Sequence, residues 1–153
     1  MSVTFLSIGD CFNGSGRAYI YILFSKKFNL AYIGETNDRN GVLGRLIGHV
    51  NKTGTFRKQI FQRRGILLEE ISDLVLFAYL LPQESNYTSE EKVYRRGVEY
   101  LVQERLREIC GDLSPFLYIV SYVQYSDTAS FRSTSKIATL ISENFIERYN
   151  NKL

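Results

Sequence analysis

The residues best suited to chemistry lie early in the chain. Tyr19, Tyr21 and Tyr32 sit in two apolar runs, and Arg45 and His49 follow, four residues apart. Arg45 offers a planar, permanently charged fork that matches phosphate oxygens. His49 is the only histidine, and an imidazole with an unperturbed pKa of about 6.5 exchanges protons readily near neutrality. A phenol titrates near 10, so a tyrosine serves as a base only where cations depress it. Taken singly, each residue also has an ordinary role. Strands favour tyrosine for packing, helix arginines are usually solvated, and a lone histidine is more often structural than catalytic.

The elements that must position these groups are legible around them. Ala18 to Phe24 and Leu30 to Thr36 are rich in Tyr and Ile and flank a polar link, Ser25-Lys26-Lys27, as two strands of a hairpin do. Tyr19 and Tyr21 alternate with Ile20 and so face one side of their strand. After the break at Asn40-Gly41, residues Val42, Leu43, Leu46, Ile47 and Val50 recur at helical spacing. Arg45 and His49 then lie one turn apart on another face of that helix.

Tyr19-Ile20-Tyr21 in one strand, Tyr32-Ile33-Gly34 in the next and Arg45-x-x-x-His49 on the following helix together resemble the GIY-YIG nuclease superfamily. Tyr19 stands where the first signature usually has Gly; the second signature is intact. The resemblance covers roughly Ala18 to Gly111. It implies a small antiparallel sheet flanked by helices and a metal-dependent hydrolysis of phosphodiester bonds. Tyr21 then matches the general base, Tyr32 and His49 the groups that orient water and phosphate, and Arg45 the arginine that steadies the scissile phosphate.

Such a site also needs a carboxylate for a divalent cation, and the resemblance places it on the long helix after the third strand. Glu91 is accounted for as a helix cap and Glu104 falls on the face expected to meet water. Glu99 lies at the edge of the apolar stripe, and Val98-Glu99-Tyr100-Leu101-Val102 resembles the Leu-Glu-x-x-Ile signature. We take Glu99 as the ligand for Mg²⁺ or Mn²⁺, since a lone carboxylate with waters and phosphate oxygens suits a hard cation. Many members carry an Asn further on; here Gly111-Asp112-Leu113-Ser114 stands in that region, with Asp112 as a substitute or the role absent.

The net charge of +3 is too small to mark a nucleic-acid binder, yet its distribution is informative. Between Arg39 and Leu68 there is no acid, while Lys52, Arg57, Lys58, Arg63 and Arg64 all fall there with Arg39 and Arg45. The helix from Thr55 to Gly65 is expected to lie along a DNA backbone with these residues on phosphates. No apolar run approaches the roughly 20 residues that span a bilayer and no leader pattern opens the chain, so no membrane partner and a cytoplasmic location are expected. Cys11 and Cys110 are far apart and read as reduced thiols or core filler.

In order, the chain predicts a short apolar run at Val3 to Ile8, a loop at Asn13 to Gly16, the hairpin, two helices, and a buried strand at Leu74 to Leu81. A capping box at Thr88 to Glu91 opens the long helix, which Gly111 ends. A strand over Phe116 to Tyr125, a loop over Ser126 to Ser135 and a helix over Ile137 to Tyr149 follow. The fold class is α+β: about three antiparallel strands flanked by helices, with an extra C-terminal strand and helix. At 153 residues one domain is expected, with its core at about 18–111 and residues 112–153 packed on it as an extension.

The expected function is a metal-dependent endonuclease of DNA, most simply double-stranded DNA, and of restriction type in a small stand-alone chain. Cutting both strands with one site favours a homodimer or two sequential nicks. The alternative is a catalytically inactive nucleic-acid-binding protein of the same fold; a more distant one is an interaction protein whose aromatic strands merely pack.

Overall fold

The computed structural model describes residues 9–111 and 117–150. It is an α+β fold of nine main elements in this order: β1 Tyr19–Ser25, β2 Leu30–Thr36, α1 Gly41–Val50, α2 Thr55–Arg64, β3 Val75–Leu80, α3 Ser85–Thr88, α4 Val93–Gly111, β4 Tyr118–Ile119 and α5 Arg132–Asn150. Val3 to Ile8, Asp112 and the side chain of Cys110 lie outside the described residues.

The sheet order is β3-β1-β2-β4, antiparallel across β3, β1 and β2 and parallel between β2 and β4. Period-two alternation sends the side chains of β1 to two different layers. Ile20, Ile22 and Phe24 meet Val98, Val102 and Leu106 of α4 and Ile137, Ile141 and Phe145 of α5. Tyr19, Tyr21 and Leu23 meet Val42 of α1 and Phe56 and Ile60 of α2. Every residue of β1 is buried, as expected of a central strand with helices on both faces.

Aromatic edges fix α5 on the sheet. Phe145 lies edge-on to Phe24 at 5.7 Å and to Phe77 at 5.2 Å, and Tyr149 reaches Phe24 at 5.5 Å. Such pairs add about 0.5–1.5 kcal/mol each beyond the burial of their area. The hairpin is anchored by Asp73, which accepts hydrogen bonds from Ser25 Oγ and from the Lys27 amide, each at 2.7 Å. Gly65 closes α2 in the left-handed region at φ 64°, with its amide bonded to the Phe61 carbonyl.

Three expectations need correction. The capping box at Thr88 and Glu91 does not form: Thr88 ends α3, and α4 starts at Val93. Arg95 Nη1 donates to the carbonyls of Tyr87, Ser89 and Glu91, which ties the segment between the two helices to the first turn of α4. Of the strand expected over Phe116 to Tyr125, Phe116 lies outside the described residues, and among the others only Tyr118 and Ile119 are strand. Beyond them the Ile33 amide is taken by Ser121 Oγ rather than by a strand carbonyl, and Arg107 Nη2 draws the Ser121 carbonyl toward α4. The Ser/Thr-rich segment contains a 3-10 turn, Asp127–Ser130, and α5 begins at Arg132, ahead of Ile137. Among the described residues no helix is long and apolar enough to cross a membrane.

Arg95 is fully buried, and its Nε donates to Glu35 Oε2 at 2.6 Å. Removing one partner of a buried ion pair leaves the other uncompensated, which typically costs about 3–5 kcal/mol. Urea unfolding should therefore show Arg95→Ala destabilised by about that amount, with loss of a surface pair such as Arg107 to Glu104 costing about 1 kcal/mol or less.

Candidate active site

Tyr21 and Tyr32 project from neighbouring strands to the same side of the sheet and stack at 6.4 Å between ring centroids. The register pairs Tyr21 with Gly34. A Cβ on Gly34 would sit 2.3 Å from the Tyr21 hydroxyl, so the ring lies directly over the glycine. His49 comes down from α1 and places Nε2 2.7 Å from the Tyr21 oxygen. The His49 ring also meets Tyr32 edge-on at 5.3 Å.

Glu99 approaches from the opposite face of the sheet, on α4 beside Val98. The residue as a whole is half-buried, and its carboxylate receives one long hydrogen bond from Gln103 Nε2 at 3.4 Å. The two faces meet at the outer edge of β2, where β4 covers only Leu30 and Ala31. A cleft of about 580 Å³ opens there. Tyr21, Tyr32, Arg45, His49 and Glu99 all line it, so residues from β1, β2, α1 and α4 converge on one space.

The electrostatics are set by burial first. Desolvation raises the Tyr21 phenol well above 10, outweighing Arg45, which stabilises the phenolate by charge and hydrogen bonding. Tyr32 is pushed up to about 12 by burial and by Glu99. His49 is lowered to about 4 by burial, with Arg45 adding to the shift. At neutral pH the imidazole is thus uncharged, and in its Nδ1–H tautomer Nε2 accepts the hydrogen bond that the Tyr21 hydroxyl donates. Glu99 is raised to about 8 by burial and by the nearby charge of Glu35, against the opposing pull of Arg96, Arg45 and Lys92.

Among the described residues, no three His, Cys, Asp or Glu side chains gather in a metal-binding group. A hard cation does not need one. Glu99 is a desolvated carboxylate with a single weak hydrogen bond, beside a second carboxylate, and a divalent ion completed by water and phosphate oxygens would relieve both charges. The donor chemistry fits Mg²⁺ or Mn²⁺.

The basic residues of α2 stand elsewhere. Among the described residues, Lys52, Arg57, Lys58, Arg63 and Arg64 do not line the cleft. Arg57 is engaged by Glu69 and by the Val50 carbonyl, and the Arg64 guanidinium lies 4.8 Å from the centre of the Tyr118 ring. Lys52, Lys58 and Arg63 are exposed. The cations that do line the cleft beside Arg45 are Lys92 and Arg96, at the start of α4. Glu35, Tyr122 and Tyr125 line it too. Sequence reasoning missed all five. Lys92 and Arg96 lie on the same helical face as Glu99 by spacing, which was an available signal; Glu35 follows the Tyr32-Ile33-Gly34 signature directly; Tyr122 and Tyr125 carried none.

No protein-family model, no curated protein and no solved structure matches this chain.

Because His49 is the only histidine, it gives a single imidazole Hε1 resonance. In proton NMR that resonance should stay unshifted from pH 8 down to 5 and titrate near 4; Gly34→Ala, by displacing the Tyr21 ring, should move the midpoint toward 6.5. Glu99 supplies a second test. An unfolded Glu titrates near 4.5 and the folded one near 8, so its contribution to stability is complete below the first value and is lost as pH rises to the second. Without divalent ions, Glu99→Gln should match the wild-type melting temperature at low pH. It should exceed it increasingly up to pH 8, by roughly 2–4 °C for each kcal/mol relieved.

Proposed function

We propose that this chain is a divalent-metal-dependent DNA endonuclease that hydrolyses phosphodiester bonds with the GIY-YIG arrangement of groups. The observation that carries the reading is the convergence in one cleft of Tyr21, Tyr32, Arg45, His49 and Glu99, residues selected by type, spacing and resemblance alone.

Arg45 grips the scissile phosphate, and Lys92 and Arg96 offset the charge that accumulates on it. Burial keeps Tyr21 protonated, so it acts as a relay. Its oxygen takes the proton of the attacking water while its own proton passes along the 2.7 Å hydrogen bond to the neutral Nε2 of His49; the water oxygen bonds phosphorus as the opposite P–O bond breaks, and the leaving alkoxide takes a proton from solvent. Nothing then has to be ionised beforehand. Tyr32 packs against both rings and fixes their orientation. Glu99 would hold the cation, which when bound supplies charge neutralisation and an acidified water. A duplex cut by one such site per chain calls for two copies or two successive nicks.

Purified protein should nick or fragment mixed plasmid and phage DNA in Mg²⁺ or Mn²⁺. Arg45→Ala and Glu99→Ala should each lose at least about 100-fold in rate, and Tyr21→Phe and His49→Ala should fall together. Discrete fragments would mark sequence reading. Absence of cleavage with every metal, while wild type and variants bind DNA equally, would leave a binding protein that lacks the chemistry.

A further inference from the structure

The cleft has a second wall made by a segment outside the resemblance. From Ser121 to Thr128 the chain crosses from the edge of β2 to the start of α4, and it is hydrogen-bonded at both ends. Ser121 Oγ accepts the Ile33 amide at 2.9 Å, and its carbonyl accepts Arg107 Nη2 at 2.9 Å. At the other end Ser126 Oγ and Thr128 Oγ1 both donate to the Val93 carbonyl, at 3.0 and 2.8 Å. Gly97 lets this end approach closely, since a Cβ there would lie 2.2 Å from Thr128 Oγ1. Between the anchors, Tyr122 and Tyr125 line the cleft while remaining 64% and 60% exposed. Tyr125 is steadied edge-on against Tyr100 of α4 at 5.3 Å.

Two exposed tyrosines thus line a cleft whose walls carry the cations Arg45, Lys92 and Arg96 and the acids Glu35, Glu99 and Asp127. We infer that Tyr122 and Tyr125 are a stacking platform for an unpaired nucleobase next to the scissile phosphate, so that the substrate is a DNA strand that is single-stranded, branched or locally unstacked there. Two observations favour this occupant. Arg45, Lys92 and Arg96 line the same cleft and suit the phosphates on either side of such a base. The space, about 580 Å³, falls in the range of small-molecule sites and has room for a nucleotide. Within a duplex both faces of a base are already covered by its neighbours. An unpaired base offers a face to tyrosine, as sequence-tolerant single-strand binders use it.

The inference rests on the nuclease reading for its substrate, and binding measured apart from cleavage separates the two. Fluorescence anisotropy in EDTA would compare one DNA sequence as single strand, as fork and as matched duplex, with 2-aminopurine at the junction to report stacking. Wild type should bind fork and single strand about 10-fold or more tighter than duplex, with quenched 2-aminopurine. Tyr122→Ala and Tyr125→Ala should each lose about 10- to 100-fold on those two substrates and little on duplex, while Tyr122→Phe and Tyr125→Phe retain binding. Both positions are exposed, and matching melting curves would exclude misfolding. Equal losses on all three substrates, no loss in the alanine variants, or no DNA binding by wild type would overturn the platform. Tyr-dependent binding with no cleavage in any metal would overturn hydrolysis alone. Cleavage unaffected by the alanine variants would overturn stacking alone.

Discussion

The absent side chain of Gly34 is the constraint on which the site depends. Tyr21 is fully buried and its hydroxyl is committed to His49, so its ring has one place to lie, across the backbone of β2. Any Cβ there would share that space. With the ring in place, the tyrosine pair, the imidazole and the guanidinium gather on one face of the sheet, and the unpaired half of β2 leaves a way through to Glu99 on the other. The site is a seam between two cores rather than a pocket within one.

Charge then divides along that seam. The tyrosine face is held neutral by burial: phenols above their usual range, an imidazole below its own. The α4 side concentrates ions, with Glu99 among Glu35, Lys92 and Arg96, and Arg45 reaches the seam from α1. Glu35 is not free to drift toward Glu99, because Arg95 holds it by a buried pair and is itself fixed by three backbone carbonyls. The same guanidinium therefore shapes the start of α4 and the electrostatics of the cleft.

Much of the framework was legible in the sequence because it rests on local signals. The hairpin strands, α1 and α2 follow from alternation, three-four spacing and Gly65, and their observed bounds differ from expectation by at most a residue. The position of Glu99 at the margin of an apolar stripe was readable for the same reason. What was not readable depends on contacts distant in the chain. Where the capping sequence stands, Arg95 bonds the carbonyls of Tyr87 and Ser89, and past Ile119 the Ile33 amide goes to a Ser121 hydroxyl. The basic run in α2 looked like a single surface, but Glu69 and Tyr118 engage part of it. The cations that reach the cleft came from another helix.

The anchored crossing from Ser121 to Thr128 has one more effect, on self-association. A strand edge offers regularly spaced donors and acceptors to any other chain, and proteins that stay dispersed must occupy or hide them. Here the edge of β2 is met first by two residues of β4, then by a serine hydroxyl on the Ile33 amide, after which the crossing chain stands over the opening. A foreign strand finds no continuous ladder to extend. The segment that walls the cleft thus also closes this edge of the sheet to another chain.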